Sequence, residues 1–548
     1  MGFYIMFSDP VVGEKFFDRV TILELLDKRS KSFKEGYRQN IAITGHRFAG
    51  KTSLLLNFLI RLTDDKIIPV YVEIKHEPLA NIADRVSGVL LYNFFKRQNQ
   101  KVDNDLDLLM KMGQRVIPKT VESIRNIKSL IERGEIDTAY SMLLDLTSIL
   151  EQETGKLCLI VLDEFHLLEK TGVSSPFAEL GKKIMVQKST MYILASSMIE
   201  KARGILSQKL NLLFGNFETI ELNPFDTEVA KQFLKENLLE EADIQDSHKR
   251  FLISFTGGYP FYLSVISREF KKLYKETQDK MSGEELITHA LTSLLFRQEG
   301  TLNQYFMGLL NQLKEFGIFS DGLKILGAIS KDERRLAFIA RAVKMPSKEV
   351  SRQLQHFVEI DILARNGSLY KFNDRALMVW VGSSWTLRES SLNFDPQEQV
   401  KQFETEMKKL ISDFNLESKK EPRQRVIGLL KLFRNDTVEL DKRNYRLPQF
   451  VEVETSSADG IILTYQAAGS KKLWLCAVKD REVGENDVAE FALRCKKNKD
   501  KIHKRLLIAL KGIDVNAKLL ASEEKIVTWD IDNLNLLFDL YGKQQMIL

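Results

Sequence analysis

Through the first 225 residues, short apolar runs of strand length alternate with longer stretches of helical periodicity. The runs are Asn40-Ile41-Ala42-Ile43-Thr44, Lys66 to Ile74, Leu157 to Glu164, Met191 to Ser197 and Phe217 to Leu222. The first four are rich in Ile, Val and Leu on both faces, as strands covered on both sides must be. An amphipathic pattern over Val20–Leu26, a stretch over Ser53–Ile60 apolar enough for a buried helix, and several helices between 78 and 155 fill the gaps, with a polar loop expected at 98–107. Strand-helix alternation of this kind predicts a parallel sheet with helices on both faces.

The pattern then changes. Residues 226–300 read as helices broken by the turn Gly257-Gly258-Tyr259-Pro260. From 302 to 385 three helices are expected: Leu323–Ile329, Arg334–Val343 and Ser347–Val358, the last with Ser347 as its N-cap. A hairpin, Leu363 to Phe372, follows and turns at Asn366-Gly367, as a winged helix-turn-helix would. Beyond 395 come a charged helix, Glu398–Phe414, and strand-like runs at 449–454, 460–465, 473–479, 506–510 and 526–530. The expected division is a core at 1–225, a helical lid at 226–300, a winged helix at 301–390 and a C-terminal α/β domain at 395–548.

The length of 548 residues agrees with that division, since domains average roughly 100–200 residues. A hydrophobic content of 44% with 28% charged residues excludes a disordered or fibrous chain. The net charge of +5 permits a nucleic-acid partner without arguing for one. Three widely spaced cysteines make neither a metal framework nor a disulfide scaffold, so a reducing cytoplasm is the expected compartment. The short apolar N-terminus lacks signal-peptide features, and no run is long enough to span a membrane.

Two motifs carry chemistry. Gly45-His46-Arg47-Phe48-Ala49-Gly50-Lys51-Thr52, between a strand and a helix, is the phosphate-binding loop pattern. Its glycines let backbone N–H groups converge on phosphate oxygens, and the helix start adds its dipole. Gly45, Gly50, Lys51, Thr52 and Ser53 form the expected cradle; Lys51 reaches the terminal phosphates and the Thr52 hydroxyl binds Mg²⁺. The second motif is the apolar strand ending in Asp163-Glu164. A parallel sheet aims it at the same phosphates, so Asp163 is a Mg²⁺ ligand and Glu164 a general base. Ser196, ending the fourth strand, is placed to sense the terminal phosphate or the attacking water, although a strand-ending Ser also suits a plain turn. His166 receives no role.

These motifs, with Phe17-Asp18-Arg19, Leu162 to Phe165, Ser196-Ser197, Leu222-Asn223-Pro224-Phe225 and Gly257 to Pro260, resemble the archaeal-type ATPases of the STAND class of AAA+-related P-loop NTPases over about residues 10–385. The resemblance implies ATP or ADP as ligand, Pro260 beside the adenine, and a winged helix after the lid. It departs at Asn216, where similar proteins carry an arginine before the fifth strand. That departure favours slow hydrolysis and switching over oligomer-coupled turnover, since an arginine finger contributes about 10³–10⁵ in rate.

In the winged helix, Lys348, Ser351, Arg352 and Gln355 are candidates for a DNA groove, and Arg365 and Lys371 for phosphates; a protein partner is the alternative. The C-terminal order of elements resembles a restriction-endonuclease-like domain of the PD-(D/E)xK type. Asp459 and Lys479 match that motif, but Ala477 stands where a metal-binding acid belongs, so the domain is read as degenerate and binding-only. The basic run from Arg494 to Arg505 either tracks a phosphate backbone or forms a solvated helix end. The expectation is an ATP-driven switch acting on DNA or a partner protein, with a homo-oligomer open. An ATP-controlled nuclease and a nucleotide-bound scaffold are the alternatives.

Overall fold

The computed structural model describes residues 9–547 apart from 211–216, 239–243, 278–280, 316, 318, 391–394, 456–460, 467–472 and 498–501. Asn216 and Asp459 therefore lie outside the described residues. The chain forms two compact units, one of residues 1–225 with 259–261, the other of 226–258 with 262–548.

The first unit is built on five strands: β1 (Asn40–Thr44), β2 (Ile67–Glu73), β3 (Leu157–Asp163), β4 (Thr190–Ser196) and β5 (Phe217–Glu221). They lie in the order β2-β3-β4-β1-β5, every pair parallel. β1 and β4 are buried along their whole length, which explains their unbroken apolar runs. Helices Leu79–Lys96, Pro118–Glu132, Ile136–Thr154 and Pro176–Val186 contribute to a large core that includes Phe94, Phe95, Phe165, Phe177 and Tyr192. Leu54, Leu55 and Phe58 of helix Lys51–Arg61 are fully buried, tying the phosphate-loop helix into the fold. Because all strands run the same way, their C-terminal ends gather along one edge of the sheet. Thr44 stands in register with Ser196, and Glu73 with Asp163.

The second unit begins with helix Thr227–Asn237, capped by Asp226, and continues through helix Asp246–Thr256, helix Pro260–Thr277 from Tyr262 onward, and helix Gly283–Leu295. Helices Phe319–Ser330, Leu336–Val343 and Ser347–Glu359 precede an antiparallel hairpin of β6 (Leu363–Asn366) and β7 (Leu369–Phe372). Arg335 adds a bridge to Leu369 on its other side. The expected N-cap is corrected: Ser347 is the first helical residue, Pro346 precedes it, and no side chain caps the turn.

The C-terminal region holds a second sheet, β10 (Phe450–Thr455), β11 (Ile461–Gln466), β12 (Leu473–Lys479), β13 (Ile502–Ala509) and β14 (Val527–Asp530). It starts antiparallel and becomes parallel from β12 onward, with a helix after each of β12, β13 and β14. A hairpin absent from the sequence reading, β8 (Asp436–Leu440) and β9 (Arg443–Leu447), precedes this sheet.

Candidate functional site: the loop at the end of β1

The loop from Gly45 to Gly50 joins β1 to the helix that begins at Lys51. A Cβ at Gly45 would sit 2.4 Å from the Leu222 carbonyl oxygen, so no larger residue fits there without moving β5's exit. Gly50 adopts φ +96°, which side chains rarely tolerate, and Phe48 is left-handed at φ 68°. The loop thus curls tightly over the helix N-terminus. The Lys51 side chain is buried, and its ammonium donates to the carbonyls of Gly45 (2.7 Å) and His46 (3.1 Å).

Next to it, the Thr52 hydroxyl donates to Asp163 Oδ2 at 2.8 Å. The Tyr71 hydroxyl donates to the same oxygen at 3.0 Å, and the Glu164 N–H reaches Oδ1 at 3.0 Å. Asp163 is 1% exposed. Burial and the neighbouring Glu164 push its carboxyl above the ordinary value, against the pull of Thr52, Lys51 and Tyr71. Burial and Asp163 also push the Tyr71 phenol far up, so it stays protonated and serves as a donor.

Glu164 sits in the left-handed region at φ 53°, turning its side chain away from the strand direction. Its Oε2 accepts the Ser197 N–H at 2.9 Å and the Ser197 hydroxyl at 2.8 Å. His166 Nδ1 lies 3.3 Å from the same oxygen and 2.8 Å from Ser196 Oγ. Burial, with the charges of Lys201, Arg47 and Lys51, pushes the His166 imidazole down to about 3, so it is neutral near pH 7. The two serines ending β4 therefore face different partners: Ser196 meets His166, and Ser197 holds Glu164.

A third group surrounds the helix that follows the loop. The segment at 11–13 runs along it: the Val11 N–H donates to Ser53 Oγ at 3.0 Å, and the Gly13 N–H to Asn57 Oδ1 at 2.9 Å. Ser53 thus spends its hydroxyl on the N-terminal segment. Arg19 donates to the Asn223 carbonyl at 2.5 Å and lies 5.0 Å from the Phe225 ring centroid, which Phe17 meets edge-on. Phe261, next to Pro260, stacks on Phe48 with ring centroids 3.9 Å apart.

The remaining sequence candidates lie elsewhere. Lys348 is exposed, and Arg352 pairs with Glu349 one helical turn away. Arg365 donates back to the Gly367 carbonyl, and Lys371 is ion-paired with Asp539 at 3.0 Å. Lys479 pairs with Asp487 at 3.1 Å, an acid that also takes two bonds from Arg481. In the basic run, Lys496 pairs with Glu524, while Lys504 lies between the rings of Trp474 and Tyr445. Sequence reasoning missed Tyr71 and His166 as members of the site, and named Ser197 beside Ser196 without seeing its bond to Glu164.

The cradle fits a magnesium nucleotide. Gly50 turns the loop at φ +96°, a buried lysine lines it, and a hydroxyl and a carboxylate converge at one point. Among the described residues no cluster of three or more His, Cys, Asp or Glu could hold a metal alone. Mg²⁺ sites that use few protein ligands and complete themselves with phosphates and water have this character.

No protein-family model matches the sequence, and no curated protein matches it. Among solved structures, a Walker-type ATPase of Pyrococcus abyssi is similar at 17% identity and a TM-score of 0.46, over 69% of this chain and 99% of its own. The ORC2 protein of Aeropyrum pernix, in ADPNP–ADP complexes, is similar at 12% identity and a TM-score of 0.44, over 70% and 98%. The RuvB Holliday junction branch migration motor of Thermotoga maritima follows at 14% and 0.34, over 68% and 97%. At these levels the functional reading rests on the geometry of the site.

Proposed function

We propose that the loop at 45–52 binds ATP with Mg²⁺ and that the chain hydrolyses it slowly, as a switch acting on nucleic acid or on a partner protein. The observation that carries this reading is the meeting of Thr52 and Asp163 at 2.8 Å beside the buried Lys51. When bound, the metal would neutralise phosphate charge. Lys51 and the N–H groups of the loop bind and orient the phosphates. Thr52 and Asp163 hold the metal. Glu164 accepts a proton from the attacking water at its carboxylate. Ser197 fixes one Glu164 oxygen, and that restraint agrees with slow turnover. The segment at 11–19, Asn223–Phe225 and Pro260 frame the base.

Residues 301–390 act as a winged helix, with Lys348 and Arg352 as its contacts to DNA. The C-terminal domain binds without cutting: Lys479 is already paired with Asp487, and Ala477 supplies no metal ligand. Isothermal titration with ATP and Mg²⁺, with turnover measured in parallel, tests the core reading. Lys51→Ala is expected to lose binding, and Glu164→Gln to keep binding and lose turnover. Unchanged binding in Lys51→Ala refutes the proposal, while full activity in Glu164→Gln would favour a scaffold that needs nucleotide only to stay folded. Mg²⁺-dependent cleavage of DNA lost in Asp459→Ala would restore the nuclease reading. The mass of the protein with ADP, an ATP analogue and DNA establishes its assembly.

A further inference from the structure

Where the region at 301–390 meets the C-terminal region, charge is concentrated and unevenly matched. Arg335 grips Asp436 with two bonds of 2.7 Å, and the Tyr541 hydroxyl reaches the same acid at 2.6 Å. Lys371 and Arg375 both pair with Asp539, at 3.0 and 2.9 Å. Arg334 is 3% exposed, lies 3.5 Å from Asp332, and leaves its Nε without a hydrogen-bond partner. Burial alone would raise the Asp539 carboxyl; Arg375, Lys371 and Arg334 outweigh it and hold it below its ordinary value. The side that belongs to 301–390 thus presents four cations and one acid, and the C-terminal side answers with two acids and Lys543. Among these described groups positive charge is in excess at a partly buried junction, with Arg334 its buried member.

The hairpin β6–β7 is engaged by backbone as well. The Ser368 N–H donates to the Thr437 carbonyl at 2.9 Å. Asn366 and Glu439 exchange bonds of 2.9 and 2.7 Å. Gly367 fits only because it has no side chain: a Cβ would lie 2.0 Å from the Thr437 oxygen, at φ +59°.

We propose that Arg334, Arg335, Lys371 and Arg375 form a phosphate-backbone site for nucleic acid that the C-terminal region masks, its carboxylates Asp436 and Asp539 standing where phosphates would sit. Two carboxylates held among these cations show that the cluster takes anionic oxygens, and the excess charge favours a polyanion as the competitor. Opening the hairpin contact releases Arg335, Lys371 and Arg375 from their C-terminal acids, while Arg375 keeps its bonds to Ser254; nucleic acid then takes the places of the acids. The inference rests on reading 301–390 as a nucleic-acid module and is independent of the ATP site.

The test uses the full chain without nucleotide, in both wild-type and Lys51→Ala backgrounds, so its outcome is separable from that of the ATP reading. Fluorescence anisotropy with a labelled DNA duplex is measured across a salt series. The Asp436→Asn, Asp539→Asn double variant is expected to bind about tenfold tighter or more, with a steeper salt dependence, as about 0.9 counterion is released per phosphate contact. Gly367→Ala lifts the hairpin without altering any charge and is expected to give the same gain. It decides the question alone if the double variant does not fold. Adding Lys371→Ala and Arg375→Ala is expected to abolish the gain. Affinity no higher than wild type in the folded variants overturns the proposal. So does a gain that survives loss of Lys371 and Arg375, or one seen with polyglutamate and not with DNA.

Discussion

Tyr71 offers a sharp test of the site, because its hydroxyl donates to Asp163 Oδ2 at 3.0 Å. Tyr71→Phe removes one hydroxyl and keeps the ring. Asp163 Oδ2 then loses one of its two side-chain donors, Thr52 remaining. A hydrogen bond to a charged group contributes about 1.5–3 kcal/mol. At about 1.4 kcal/mol per pKa unit, the lower end of that range raises the Asp163 carboxyl by about one unit. Its value is already raised by burial and Glu164, so the change adds in the same direction. Only the carboxylate serves the metal, so the acid limb of kcat/KM for ATP is expected to move up by about one pH unit. Activity at high pH should be little changed. The assay is a pH profile of ATP turnover for wild type and variant at saturating Mg²⁺. An acid limb that stays in place, with Tyr71→Phe folded, would show that Tyr71 does not tune Asp163.

Other outcomes follow from the same geometry. Asp163→Asn is expected to raise the melting temperature at neutral pH while abolishing Mg²⁺-dependent binding. The sign is set by the raised carboxyl: its ionisation penalises the fold above the folded value, and the penalty fades as pH falls to the unfolded value. Ser197→Ala frees the Glu164 oxygen it holds and is expected to raise turnover severalfold at unchanged ATP affinity; a fall as deep as that of Glu164→Gln would make Ser197 an essential positioning group instead. Burial pushes the Lys504 ammonium down to about 8, so the folded state favours the neutral amine. Lys504→Met is therefore expected to stabilise the protein in thermal melts below pH 8, with the advantage shrinking as pH rises toward 10.5, the ordinary lysine value.

Strands β1, β3 and β4 of the first sheet were legible because they are buried almost throughout and so carry uninterrupted apolar runs, whereas β5, Phe217-Glu218-Thr219-Ile220-Glu221, is only partly buried. The cradle was legible because backbone geometry demands Gly45 and Gly50 at fixed places. Tyr71 was not, because inside Pro69-Val70-Tyr71-Val72 an aromatic residue reads as core. Only the parallel register, which sets Glu73 beside Asp163, brings its hydroxyl to the acid. The division of labour between Ser196 and Ser197 was equally hidden, since adjacent residues at a strand end face opposite ways. The β8–β9 hairpin turns at Asp441-Lys442, both left-handed, a pair with no strong turn signature. The buried-exposed alternation of Asp436–Leu440 was its one visible trace. Lys371 looked like a free cation because its partner, Asp539, is 168 residues away in sequence.

The return of Tyr259–Phe261 to the first unit has a consequence for genetic dissection. The unit that carries the phosphate loop is not contiguous in the gene. A fragment ending at Phe225 would contain every strand of its sheet yet lack Phe261, the aromatic lid over Phe48. No single cut therefore releases the first unit intact. Deletion series and fusions should be planned around the three-residue return, and a nonfunctional N-terminal fragment would say nothing about the catalytic residues it retains.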